Sequence, residues 1–184
     1  MQSLANHFLI AMPSLADPNF RHSVTLICAH DEQGCMGVVV NQPLDMSLAE
    51  LFTAANMDSS KLVRPAQTIW LGGPVRTEQA FVLHRPSGDW DGSLSIGSEL
   101  QLTTSRDLLD ALGDGLDIPD CFIALGYAGW DSGQLEAEMA DNAWVFAKSD
   151  PELIFSTPVE QRWARAAHLA GIDLERMSTE TGHA

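Results

Sequence analysis

The sequence predicts one α/β-type domain of the α+β kind, a mixed β-sheet with helices packed around it. Three observations carry this reading. Short apolar runs rich in Val, Ile, Thr and Phe outnumber the segments with helical spacing. Some of those runs are joined by short polar turns, as in hairpins, and others by helical stretches, so no regular βαβ repeat emerges. The length, 184 residues, suits a single domain with a core large enough to fold without metal or disulfide staples.

The elements follow in order. His7 to Met12 reads as a strand, ended by a loop bearing Pro13, Asp17 and Pro18. Ser23 to Ala29 and Gly37 to Asn41 read as a hairpin around the turn residues His30 to Gly34, closed by Asn41 and Pro43. Ser47-x-x-Glu50 is a capping box, with Met46 and Leu51 at the staple positions and Leu48, Leu51, Phe52 and Ala55 on one helical face. Thr68 to Leu71 and Ala80 to Arg85 read as strands flanking the turn Gly72-Gly73-Pro74. Leu94 to Ile96 and Leu100 to Thr103 carry a weaker strand signal, and Thr104-x-x-Asp107 opens a short helix that Gly113 should end. Cys121 to Tyr127 reads as a buried strand, Gln134 to Ala140 as a short helix, and Ala143 to Lys148 as a strand. Thr157, Pro158 and Glu160 announce a last helix running to about Ala170, with Gly171 past its end. The domain is expected over residues 1–175, with a disordered tail over 176–184.

Charge narrows the function classes. Ten Lys and Arg face twenty-five Asp and Glu, a net charge of -15. Nucleic-acid binders draw affinity from clustered cations that neutralise phosphates, whereas the basic residues here are scattered from Arg21 to Arg176. Direct binding of nucleic acid is therefore not expected. Cys28, Cys35 and Cys121 are an odd set without a signal peptide, which argues against a disulfide framework. No apolar stretch is long enough to span a membrane, so no membrane partner and a cytoplasmic location are expected.

The segment Gly126-Tyr127-Ala128-Gly129-Trp130-Asp131-Ser132-Gly133 joins a strand to a helix, a place where anions often bind. It matches neither phosphate-loop fingerprint, and Asp131, Glu136 and Glu138 would oppose an anion. The expectation is that Asp131 or Ser132 caps the helix, Gln134 returns the bond, and Trp130 staples onto Leu135. In GWDSG the serine stands one place late for the nucleophile elbow GxSxG. Cys28, His30 and Cys35 lack the spacing and number of zinc ligands, so no metal is expected. Cys28 and Cys121 read as core, and His84 either as a pocket group or, the reading favoured here, as a satisfied core histidine. Glu136, Glu138 and Asp141 read as a solvated acidic face.

Taken together, FLIAMPSLADPNFRHSVTLICAH, GVVVNQP, GGPV…FVLH and ALGYAGWDSGQLEAE…NAWVF resemble the YqgE/AlgH family of bacterial proteins, from about Phe8 to Trp163. The resemblance implies a branched or barrel-like sheet surrounded by helices, a cytosolic protein of undefined activity, and no established catalytic residue or cofactor. Some members carry a label of transcriptional regulator tied to alginate production. The chain departs from the family's pattern at Asp131 and Ser132, where the family usually shows Gly followed by a small residue or Pro. Two functions are compatible with this. One is a non-catalytic regulatory or interaction domain acting through a protein partner. The other is a small-molecule-binding protein or enzyme with a pocket near His84, Tyr127, Trp130 and Glu136. The wider candidate surface is Asn41, His84, Tyr127, Gly129, Trp130, Gln134, Glu136, Asn142 and Trp144. Convergence of these side chains on one cleft would favour the second function.

Overall fold

A computed structural model describes residues 3–15 and 17–173; the expected tail over 176–184 lies outside them. The chain opens with β1 (His7–Ala11), β2 (Val24–Asp31) and β3 (Gly34–Val39). The hairpin is tighter than the sequence suggests. Asp31 pairs with Gly34, and the loop is Glu32 and Gln33, whose Gln33 N–H donates to Asp31 Oδ1 at 2.8 Å. β3 therefore starts at Gly34 rather than Gly37.

Next come β4 (Pro43–Ser47), α1 (Leu48–Ala54), β5 (Thr68–Leu71) and β6 (Val75–His84). β4 was not legible because it contains a proline. It is tolerated since β4 pairs only with β5, at an edge of the sheet. The capping box at Ser47 and Glu50 forms as expected. β7 (Ser93–Ile96), β8 (Leu100–Thr103), α2 (Arg106–Gly113), β9 (Cys121–Asp131), α3 (Gln134–Ala140), β10 (Trp144–Lys148), α4 (Pro151–Phe155) and α5 (Val159–Leu169) complete the order.

Three expected caps are corrected. Helix α2 takes Ser105 rather than Thr104 as its N-cap. Helix α3 starts from Gly133 in the left-handed region, with no side-chain cap from Asp131 or Ser132; Gln134 Oε1 still accepts the Asp131 N–H at 3.0 Å. Thr157 does not cap α5. Its hydroxyl donates to the Glu152 carbonyl of α4 and accepts from Arg165. The unforeseen α4 explains this: Asp150 caps it and Pro151 occupies its first turn, so Thr157 closes one helix instead of opening the next.

Ten strands form one curled sheet in the order β10-β1-β2-β3-β9-β6-β8-β7, with β4-β5 branching off β9. Long β9 makes the fork. Its first half pairs antiparallel with β6 on one edge and parallel with β5 on the other, through Trp70↔Ala124 and Leu71↔Leu125. Beyond the fork, Ala128 to Asp131 pair with β3. Glycines permit the divergence. A Cβ on Gly72 would lie 2.2 Å from the Gly126 carbonyl oxygen, and one on Gly126, whose φ is +76°, would lie 2.4 Å from that of Gly73. The Gly72-Gly73-Pro74 signal thus marks a backbone crossing. The core has three parts: under α4 and α5, under α3, and under α1 and α2. The branched sheet that the resemblance implied is observed, within a single α+β domain.

Candidate functional site

The last residues of β9 send alternate side chains to opposite faces of the sheet. Trp130 points under α3 and is 5% exposed, while Gly129 and Asp131 face solvent on the other side. Two different constructions result.

Beneath α3 lies a clamp. Glu138 accepts the indole N–H of Trp130 at 3.0 Å and that of Trp144 at 2.8 Å on the same oxygen. Its other oxygen accepts from Gln134 Nε2 at 2.9 Å. Phe20 packs against both indoles. Glu138 therefore does not belong to a solvated face; it satisfies two part-buried donors that would otherwise be orphaned. A second tie runs from Glu136 to His30 Nε2 at 3.0 Å. The His30 ring is 3% exposed, and its Nδ1 accepts the Leu4 N–H, which leaves the proton on Nε2 for donation to Glu136. Both ring nitrogens are thus engaged.

On the opposite face is an open groove of about 450 Å³. Its rows follow from the strand register: Ala29, Met36 and Gly129 stand side by side, and so do Asp31, Gly34 and Asp131. The centre is bare backbone, since a Cβ on Gly34 would sit 2.4 Å from the Trp130 carbonyl oxygen. Tyr127 and Val75 form one wall. The Tyr127 ring packs on Phe81, and its hydroxyl has no hydrogen-bond partner among the described residues. Asp31 and Asp131 carry no ion pair to any described cation.

The other candidates go elsewhere. His84 is fully buried between β6 and β8. Its Nδ1 donates to the Arg85 carbonyl at 2.7 Å and its Nε2 accepts from Thr103 at 2.8 Å, a satisfied core histidine. Burial pushes its pKa below the ordinary imidazole value. Asn41 bridges the Val24 N–H and the His22 carbonyl. Asn142 takes a positive φ of 55° in the turn from α3 to β10. Tyr127 and Gly129 line the groove, where Trp130 contributes its backbone carbonyl; the Trp130 ring lies with Gln134, Glu136 and Trp144 on the α3 side, and His84, Asn41 and Asn142 join neither. The nine side chains do not converge on one cleft. The three cysteines are free, and burial pushes the Cys35 and Cys121 thiols up to about 12 and Cys28 higher still. Ser132 donates to the Glu32 carbonyl.

The AlgH-like family model matches residues 8–175. The chain belongs to this family. The AlgH-like chain is 46% identical to a UPF0301 protein of Pseudoalteromonas translucida over the whole of both. It is 48% identical to one of Nitrosococcus oceani, covering 97% of this chain and 96% of the other. The solution structure of the AlgH protein from Pseudomonas aeruginosa superposes with a TM-score of 0.80 at 41% identity over both full chains. A crystal structure of a Corynebacterium diphtheriae protein, 20% identical, shares the fold with a TM-score of 0.72 over 90% of this chain and 86% of that one. Within this AlgH-like frame, sequence reasoning missed Glu138, His30 as the partner of Glu136, and the groove residues Asp31, Met36 and Val75. Only one signal was available beforehand: the Gln134–Glu138 spacing of four, which places both side chains on one helical face.

Proposed function

We propose that this AlgH-like chain is a non-catalytic interaction domain that binds a basic, apolar-anchored segment of a protein partner in the groove between β2, β3 and β9. The observation that carries the reading is the pairing of two unneutralised carboxylates, Asp31 and Asp131, with an apolar wall and an unbonded tyrosine hydroxyl. A tyrosine beside a small apolar patch is a common binding anchor, and acidic rims select and steer cationic partners. The net charge of -15 acts in the same direction at longer range. Against catalysis stand the engaged nitrogens of His30 and His84 and the buried thiols, which leave none of these five groups poised as base or nucleophile. Free thiols suit a reducing cytoplasm. Regulation of transcription, under this reading, runs through the partner and not through contact with DNA.

The test is selection from a random-peptide display library. Selected peptides should place Lys or Arg beside a large apolar residue; Asp131→Lys should abolish capture and Tyr127→Phe, which removes only the unbonded hydroxyl and keeps the packing on Phe81, should weaken it, while the melting temperature holds. Acidic consensus peptides, or capture unaffected by both substitutions, would refute the assignment.

A further inference from the structure

A second cavity, of about 360 Å³, lies between the first residues of β5 and β9 and the α4–α5 pair. It shares no residue with the groove. Its floor is the stacked pair Trp70 and Phe122, with ring centroids 4.9 Å apart, and Ile154 and Phe155 of α4 complete an apolar surround. Arg162 of α5 lines it and is 6% exposed.

Arg162 has no carboxylate partner among the described residues. Buried guanidinium groups are ordinarily paired, because an uncompensated buried charge is expensive. Here Nε donates to the Thr157 carbonyl and Nη1 to the Val40 carbonyl, and the guanidinium carbon sits 4.5 Å from the centre of the Trp70 ring. Those contacts satisfy some N–H donors and none of the net charge. Nη2 donates to nothing among the described residues. No Asp or Glu lines the cavity, in a chain whose carboxylates outnumber its cations by twenty-five to ten. The other lining cation, Arg64, is already matched to Asp117 by two N–H···O contacts of 2.7 and 3.3 Å. The cavity therefore offers the open Nη2 edge of one guanidinium, an aromatic floor, and no carboxylate in its lining.

We infer that this cavity binds a small organic oxyanion, a carboxylate or phosphate carried on a flat apolar body, with Arg162 as its counter-ion and Trp70 beside its ring. The ligand supplies the negative charge that the fold withholds from Arg162. Arg162 already ties α5 to the carbonyl of Val40, next to the end of β3, and a bound anion would reinforce that tie. The inference is independent of the groove and its partner.

The experiment titrates phenyl phosphate and phenylacetate into the full chain. The readouts are the Trp70 indole N–H resonance and the melting temperature, at matched ionic strength with benzyl alcohol as the neutral control. Saturable shifts of Trp70 with at least one anion are expected, and the tighter of the two identifies the oxyanion. Arg162→Lys should weaken binding by about tenfold or more. Thr68 is an exposed residue on the cavity rim, so Thr68→Glu should leave the fold intact and abolish binding by charge repulsion. That second variant decides the matter if Arg162→Lys does not fold. No saturable response to either anion at about 10 mM, enough to fill a millimolar site, would overturn the proposal. An equal response to benzyl alcohol, or undiminished binding by Thr68→Glu, would overturn it as well.

Discussion

Single side chains carry more of this structure than their sequence neighbourhood suggests. Glu138 stands in an acidic run, yet it holds two indoles that arrive from β9 and β10. Removing the acceptor leaves both donors short of a partner, and the half-buried position lets water replace only part of the loss. Glu138→Ala should cost about 1–3 kcal/mol, measured by urea unfolding, and Glu138→Gln should recover part of it by keeping one acceptor. A loss no larger than that of an exposed control such as Glu78→Ala would show that the clamp is dispensable. His84 makes the complementary case for pH. Its folded-state pKa lies below the 6.5 of the free ring, because burial disfavours the charged form. The unfolded chain therefore binds the extra proton first, as pH falls below 6.5. The stability His84 contributes is present above that value and is lost as pH drops toward the depressed one. Urea midpoints should fall as the pH drops below 6.5, and His84→Gln should flatten that part of the profile. An unchanged slope in the variant would assign the acid sensitivity to other groups.

At the scale of elements, local signals and their tertiary readings part company in instructive ways. The box at Ser47 and Glu50 needs only neighbours three residues apart, and it forms as the sequence states. Thr157 carries an equally clear local signal and serves a different helix, because Pro151 and Asp150 start α4 just upstream. Gly72 and Gly73 read as a turn, and Gly126 as the end of a strand entering a strand-to-helix junction. Their role as the crossing of two branches depends on which strands pair, and pairing is long-range. Gly126→Ala combines a left-handed backbone with a Cβ placed 2.4 Å from a carbonyl oxygen. It should cost more than about 3 kcal/mol or prevent folding, judged by soluble yield and melting temperature. Gly133, also left-handed, has nothing within 4 Å of its Cβ position, so Gly133→Ala should be far milder and serves as the comparison.

For the whole molecule, charge and topology set the choices. Among the described residues no helix is long and apolar enough to cross a membrane. With ten cations against twenty-five carboxylates, the protein should not shift duplex DNA at physiological salt. Gel-shift titration checks this, and a sequence-specific complex at submicromolar protein would contradict it. The curled, forked sheet also separates three surfaces that the sequence runs together: the clamp under α3, the groove on the opposite face of the same strands, and the cavity against α4 and α5. Residues adjacent in the chain, such as Trp130 and Asp131, belong to different ones.

The sequence by itself determined the fold class, most of the strands, the first helix cap, the acidity and, through its grouped motifs, the family. Each of those rests on local periodicity, on composition, or on short patterns in fixed order, none of which requires knowing what packs on what. The tertiary structure settled His84 in the core role the sequence favoured, and it alone decided that Glu138 is a clamp, that Glu136 answers His30, and that Arg162 lies buried without a carboxylate among the described residues. The physical reason is sequence separation. His30 and Glu136 stand 106 residues apart, and Arg162 meets Val40 across 122. A side chain's burial and partners are set by strand register and by the fork at Gly126, which no window of neighbouring residues encodes.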